Sequence, residues 1–214
     1  MFKSLNENFN QKRKRQGKSM QKKVILSVVI CLFLLNVCVG QEPVPDKRGY
    51  IVKVGDKIKD FEMKILDGST KKLSQFDGSV IVLNFFASWW GVCRKEVPFI
   101  EKEIWQPLKD NGLAIIGVNY KEKAKVADKA AKEMGMTYPV ALDGDGRIFE
   151  KFARGGVTRN IILDENLNII FLTRLFEKEE FNEMKSVIKK QLNNNSEKKA
   201  HEINKYNKLI QKNL

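Results

Sequence analysis

Three cysteines and one histidine bound the nucleophilic chemistry open to this chain of 214 residues. Cys31 and Cys38 lie inside an apolar run, so Cys93 is the one thiol in the remainder. His201 stands far along the chain, and a Cys–His pair would need that tail to fold back. The segment around Cys93 is built for chemistry. Val80-Ile81-Val82-Leu83-Asn84-Phe85-Phe86 has strand length and apolar character, Ala87–Trp90 reads as a turn, and a charged segment with helical spacing begins at Gly91. A helix N-terminus leaves backbone N–H groups unpaired, and its dipole favours a negative charge such as a thiolate. Thiol–disulfide exchange nevertheless needs two thiols, one to attack a disulfide and one to resolve the mixed disulfide. If a leader is cut after Gly40, the mature chain has Cys93 alone and forms no internal disulfide.

The elements that must position Cys93 follow from periodicity. Residues 41–49, with Pro43 and Pro45, read as a linker. Phe61–Leu66 and Thr70–Leu73 flank Asp67-Gly68-Ser69 as a hairpin, and Ser74–Phe76 reads as one short helical turn. After Cys93 the spacing of Val97, Ile100, Ile104, Trp105 and Leu108 is helical, with a kink expected at Pro98. Leu113–Val118 is a buried strand and Glu122–Met134 a helix. Pro139–Leu142 is a short strand, and Gly146–Ala153 a second short helix. Val157–Leu163 and Asn168–Leu172 pair as a second hairpin, and Glu177–Leu192 closes the domain as an amphipathic helix. This order predicts an α/β domain over residues 50–192, a central mixed sheet covered by helices on both faces. Residues 193–214 read as a polar, basic tail. It is expected to be mostly solvated, with Ile203, Tyr206, Leu209 and Ile210 as the alternative of a frayed helix or a docking stripe.

The formal net charge of +13 is unevenly spread: residues 1–23 carry eight Lys and Arg against Glu7. More than half of the excess thus precedes the apolar run Val24–Val39, which argues against a nucleic-acid-binding protein. The run is shorter than the roughly 20 residues of a membrane span. A basic flank, an apolar stretch and Cys38-Val39-Gly40 match a signal peptide cut before Gln41. Met20 would start such a leader at ordinary length, and a retained N-terminal anchor through 24–39 is the alternative. Both place the domain outside the cytoplasm, periplasmic or secreted.

The stretch Asn84-Phe85-Phe86-Ala87-Ser88-Trp89-Trp90-Gly91-Val92-Cys93-Arg94-Lys95-Glu96-Val97-Pro98 resembles the active-site region of thioredoxin-fold proteins, above all TlpA/ResA-type redoxins. That family reads Asn-Phe-Trp-Ala-Ser/Thr-Trp-Cys-Gly-Pro-Cys-Arg-Lys-Glu-Met-Pro. Trp89 falls on the family's tryptophan, Cys93 on its second, resolving cysteine and Trp90 on the first, which is the nucleophile. The resemblance implies a thioredoxin-like fold over roughly residues 50–192 and thiol–disulfide oxidoreductase ancestry. It also marks two departures. Trp90 cannot form a thiolate. The family's Gly-Val-Pro-Thr loop is here Gly156-Val157-Thr158-Arg159, and a cis bond before a non-proline residue costs about 2.5–4 kcal/mol, so a trans bond is expected before Thr158.

The residues therefore lead to a redoxin whose dithiol chemistry is lost, with Cys93 as the one catalytic candidate and Trp89, Trp90 and Thr158 facing whatever binds. A thiol buried in apolar surroundings is inert, and two adjacent indoles at a turn cannot both enter the core. The partner implied is a protein client or redox partner. The alternative is an oxidoreductase, or a peroxidase-like redoxin, working through Cys93 with an external resolving thiol. In glutathione-peroxidase-like redoxins, however, the reactive residue again falls on Trp90. The sequence has no Cys/His metal cluster, phosphate-binding glycine loop or nucleophilic serine motif, and so calls for no metal or cofactor.

Overall fold

The computed structural model describes residues 43–212. The basic segment, the apolar run with Cys31 and Cys38, and Met20 lie outside the described residues. Seven strands form one sheet: β1 (Glu62–Ile65), β2 (Thr70–Lys72), β3 (Val80–Phe86), β4 (Leu113–Tyr120), β5 (Val140–Asp143), β6 (Arg159–Asp164) and β7 (Ile169–Arg174). Their order is β2-β1-β5-β4-β3-β6-β7. The β3–β4 and β4–β5 pairs are parallel, and the remaining four are antiparallel. A helix in each β-to-β crossover supplies the cover that a parallel pair requires. These are α1 (Gly91–Ile100), after β3, and α2 (Ala124–Glu133), after β4.

Strand β3 is buried along its whole length, which explains why its sequence is continuously apolar rather than alternating. Its side chains still divide by parity. Ile81, Leu83 and Phe85 join a cluster with Phe149, Phe152, Ala130 and Ala131. Val80 and Val82 join Ile100, Ile104, Phe181, Met184, Ile188 and Leu192 on the opposite face. The predicted α/β architecture with helices on both faces is therefore what the chain adopts.

Pro98 does not end its helix. α1 runs through it to Ile100, continues as a wider π-type turn over Glu101–Trp105, and closes with one more turn at Gln106–Leu108. The missing proline N–H is thus absorbed by a change of helical pitch instead of a break. The last helix, α3 (Lys178–Lys212), is 35 residues long and does not stop at Leu192. The Ser196 hydroxyl donates to the Leu192 carbonyl, and the Asn195 amide donates to the Ser79 carbonyl at 3.0 Å. These bonds carry the helix through an asparagine run that would otherwise favour a turn.

Residues 46–50 are woven into the domain. Asp46 accepts from the backbone N–H groups of Arg48 and Tyr50. Arg48 reaches the carboxylate of Glu180 at 2.8 Å, and the Tyr50 hydroxyl donates to the Thr173 carbonyl. Arg159 lies beneath them, only 1% exposed. Its guanidinium stacks 4.4 Å from the centre of the Tyr50 ring and donates to the carbonyls of Arg48, Arg154 and Gly156. Gly49 has φ +81°, and a Cβ there would stand 2.5 Å from the Arg154 carbonyl oxygen. Only glycine allows that approach.

Phe85 is wedged between Phe149 and Phe152, with ring centres 5.5 and 5.6 Å away. Phe85→Ala is expected to cost about 3–5 kcal/mol. Equilibrium urea unfolding, followed by circular dichroism, checks this.

Candidate functional site

The turn after β3 is fixed from two sides. The Glu122 carboxylate accepts from the Ser88 N–H at 2.9 Å, from the Ser88 hydroxyl, and from the Asn119 amide at 2.7 Å. From the helix, Arg94 Nε donates to the Ser88 carbonyl at 2.7 Å. The turn delivers Trp90 to the N-cap of α1 with an extended backbone, φ −96° and ψ 112°. Its carbonyl then accepts from the N–H groups of Cys93 and Arg94 at 3.0 and 3.3 Å.

Neither indole enters the core. Trp89 is 63% exposed and Trp90 36%, with their ring centres 6.0 Å apart in an edge-to-face arrangement. Cys93, one turn further along, has no exposed surface and is a free thiol. Its sulfur lies 2.8 Å from Thr158 Oγ1. The structure thus brings Cys93 and Thr158 together, although they are 65 residues apart. Trp89 and Trp90 stand on the surface over the same helix start.

One expectation is corrected here. The Val157–Thr158 bond is cis, not trans. The cost known for free peptides does not decide the isomer, because both flanking residues are packed inside: Val157 and Thr158 are buried. The Thr158 hydroxyl meets Cys93, and its carbonyl accepts from the Leu175 N–H at 3.0 Å.

Burial pushes the Cys93 thiol up to about 11, against the lowering effect of the Thr158 hydroxyl, and the neighbouring Glu96 carboxyl adds to the rise. At pH 7 the thiolate fraction is then on the order of one in ten thousand. The helix N-terminus, which would favour a thiolate on a residue at its mouth, here carries an indole.

A residue that the sequence argument passed over sits behind the thiol. Glu96 is 1% exposed. Its Oε1 accepts from the Asn160 amide at 2.9 Å, and its Oε2 faces the Asn84 amide at 3.4 Å. Asn160 also donates to Thr173 Oγ1 and accepts from Asn84 at 2.8 Å. Burial raises Glu96 to about 8, more than these amide donors lower it, so the carboxyl is neutral at pH 7. A charged residue at the position facing Asn84 on a helix otherwise packed inward was the available signal. Tyr138, with its hydroxyl buried and unpartnered, lies under the same helix. Among the described residues no cluster of His, Cys, Asp and Glu is placed to hold a metal.

The Redoxin family profile matches residues 53–192. The chain belongs to the redoxin family. It is similar to thiol-disulfide oxidoreductase ResA of Geobacillus thermodenitrificans, 26% identical over 151 residues that cover 70% of this chain and 85% of the relative. ResA of Oceanobacillus iheyensis is 25% identical and covers 73% of this chain and 81% of its own length. Among solved structures, a putative protein disulfide isomerase from Bacteroides thetaiotaomicron is 44% identical, with a TM-score of 0.65 over 68% of this chain and 93% of its own. A putative thiol:disulfide interchange protein DsbE from Chlorobium tepidum is 26% identical, with a TM-score of 0.58 over 66% of this chain and 99% of its own. The chain is thus a TlpA/ResA-type redoxin with a thioredoxin-like fold.

Two measurements test the site. Alkylation of the Cys93-containing peptide, followed by mass spectrometry, should be negligible in the folded protein at pH 7 and rapid once urea unfolds it. Labelling of folded protein with a midpoint below the free-thiol value of about 8.5 contradicts the burial argument. For Glu96, the folded pKa is raised above the unfolded one. The folded state therefore binds the extra proton between roughly pH 4.5 and 8, and stability falls as pH rises across that window. Glu96→Gln should flatten this slope, leaving stability near pH 5 little changed and raising it by about 2–4 kcal/mol at pH 8, as read from urea midpoints.

Proposed function

We propose that this redoxin works outside the cytoplasm as a binding or accessory module, its dithiol exchange lost, and that its partner is a protein client or redox partner. The observation that carries the reading is the pairing of Trp90 at the nucleophile position with a lone, buried Cys93 whose thiol is held protonated. Attack on a disulfide needs an exposed thiolate at the helix mouth, and completion of exchange needs a second thiol one turn away. Only the second position is filled here. What the mouth offers instead is two exposed indoles side by side. Large aromatic rings lose little conformational freedom when they bind and are enriched where proteins meet.

The N-terminal basic and apolar segments support the extracytoplasmic reading, either as a leader removed before Gln41 or as an anchor through 24–39. Among the described residues no helix is long and apolar enough to cross a membrane.

Restoring the missing sulfur separates a disarmed redoxin from a lone-thiol enzyme. Trp90→Cys should create disulfide reductase activity in a dithiol-coupled insulin reduction assay, from a background indistinguishable from no protein. Equal activity in the natural protein and in Trp90→Cys would overturn the proposal and favour exchange through Cys93 with an external thiol as resolver.

A further inference from the structure

Asn111-Gly112 is the one Asn-Gly pair in the chain, and it closes the turn that leads into β4. An asparagine side chain carries an amide carbon within reach of the next residue's main-chain nitrogen, and glycine, having no side chain, shields that nitrogen least. Whether the two groups meet is decided by folding. Here both are left free. Asn111 and Gly112 are exposed, and Gly112 has φ +83°. The Asn111 N–H is tied back to the Leu108 carbonyl at 2.9 Å. The Asn111 side-chain amide and the Gly112 N–H have no hydrogen-bond partner among the described residues.

The competing positions are held. Asp67, Asp143 and Asp145 also precede glycine. The Asp67 carboxylate accepts from the Ser69 N–H at 2.8 Å. Asp143 is buried and accepts from the N–H groups of Ile148 and Phe149, and Asp145 accepts from the Arg147 N–H at 3.1 Å. Asp77 makes no such bond, but Gly78 after it is pressed on the start of β4, where a Cβ would stand 2.9 Å from the Ala114 nitrogen. A carboxylate is in any case a poorer electrophile than a carboxamide. Asn195, before Ser196, is built into α3 and donates to the Ser79 carbonyl.

We infer that Asn111 is the deamidation site of the folded protein, and that its isoaspartyl product loosens the start of β3. Hydroxide removes the Gly112 amide proton, and the nitrogen attacks Asn111 Cγ. An N–Cγ bond forms, the Cγ–Nδ2 bond breaks, and the departing nitrogen takes a proton from water to leave as ammonia. Water then opens the succinimide ring. Opening at the side-chain carbonyl gives aspartate, and opening at the main-chain carbonyl gives isoaspartate, whose backbone is longer by one carbon. Either way the Gly112 nitrogen regains its proton, and the balance is water in and ammonia out.

The position matters because the Gly112 carbonyl accepts from the N–H groups of Ser79 and Val80 at 2.7 and 3.2 Å. This is where β3 and β4 begin to pair, Val80 opposite Leu113. The Ser79 carbonyl in turn holds the Asn195 amide of α3. A backbone carbon added just before Gly112 moves its carbonyl off both donors, and a new carboxylate stands next to Asp110.

Ageing tests this. Full-length protein in detergent is incubated at pH 7 and pH 8, then digested with trypsin. The result expected is a gain of one mass unit in the peptide of residues 110–121, with isoaspartate localised to residue 111 by electron-transfer fragmentation. The gain should be about tenfold faster at pH 8, since the attacking anion grows by that factor per pH unit. Asn119, in the same peptide, is buried and should stay intact. Asn111→Gln, whose ring would need six members, should abolish the gain with far-ultraviolet circular dichroism unchanged. In the isoaspartyl form, separated by anion exchange, the amides of Ser79 and Val80 should take up deuterium faster than in unaged protein. Conversion at another of residues 43–212 before residue 111, or conversion only after urea unfolds the chain, overturns the site. Unchanged deuterium uptake at Ser79 and Val80 overturns the loosening.

Discussion

Because every side chain of β3 is buried, its backbone must be paired on both edges and its two faces must both be covered. Those two demands organise the domain. Parallel β4 and antiparallel β6 satisfy the backbone, α1 and α3 cover one face, and the Phe149–Phe152 segment with α2 covers the other. A strand buried so completely can end only where its chain reaches solvent. The turn at Ala87–Trp90 is that point, which is why reactive or binding residues are mounted there. The Glu122 carboxylate, taking three donors from Ser88 and Asn119, gives the turn one conformation.

The same geometry explains how the residue at the helix mouth can change without loss of fold. The nucleophile position of a redoxin is at the surface, and a tryptophan there is tolerated because its ring can lie outward, against Trp89. The resolving position is inside, and a cysteine there persists as a small apolar residue filling its site. Protonated, Cys93 needs only the Thr158 hydroxyl as a neighbour. Glu96, likewise protonated, is held by two asparagine amides. The interior beneath α1 is therefore electrically quiet at neutral pH, although it contains a thiol, a carboxyl and a phenol.

The loop that carries Thr158 is tied to the beginning of the domain. Arg159, next to Thr158, is buried under Tyr50 and donates through Nε and Nη2 to the carbonyls of Arg48, Arg154 and Gly156, while its buried Nη1 has no partner among the described residues. A guanidinium buried without a carboxylate is tolerable because three carbonyl dipoles and an aromatic face surround it. Residues 46–50 thus form the bed on which the Thr158 loop lies, while Arg48 joins that bed to α3 through Glu180.

Much of this was legible in the amino-acid order. The run Val80–Phe86, the turn and the helical spacing after Cys93 marked the site, because a period of two or of 3.6 is imposed by local geometry. Counting thiols past Gly40 leaves Cys93 as the one cysteine there. The sequence did not disclose that Cys93 touches Thr158, that Val157–Thr158 is cis, that Glu96 is neutral, or that Arg159 is buried. Each of these depends on residues brought together across the sheet, where burial changes the energy of a proton by more than local preference does. The length of α3 belongs to the same class. Asn193-Asn194-Asn195 reads as a helix end, and only the bond from Asn195 to the Ser79 carbonyl, 116 residues away, carries the helix on. The sequence by itself determined the elements and the missing nucleophile, since both are properties of neighbouring residues. The tertiary structure alone decided protonation, the shape of the loop at the thiol and the reach of the last helix, since each is set by desolvation and contacts between segments distant in the chain.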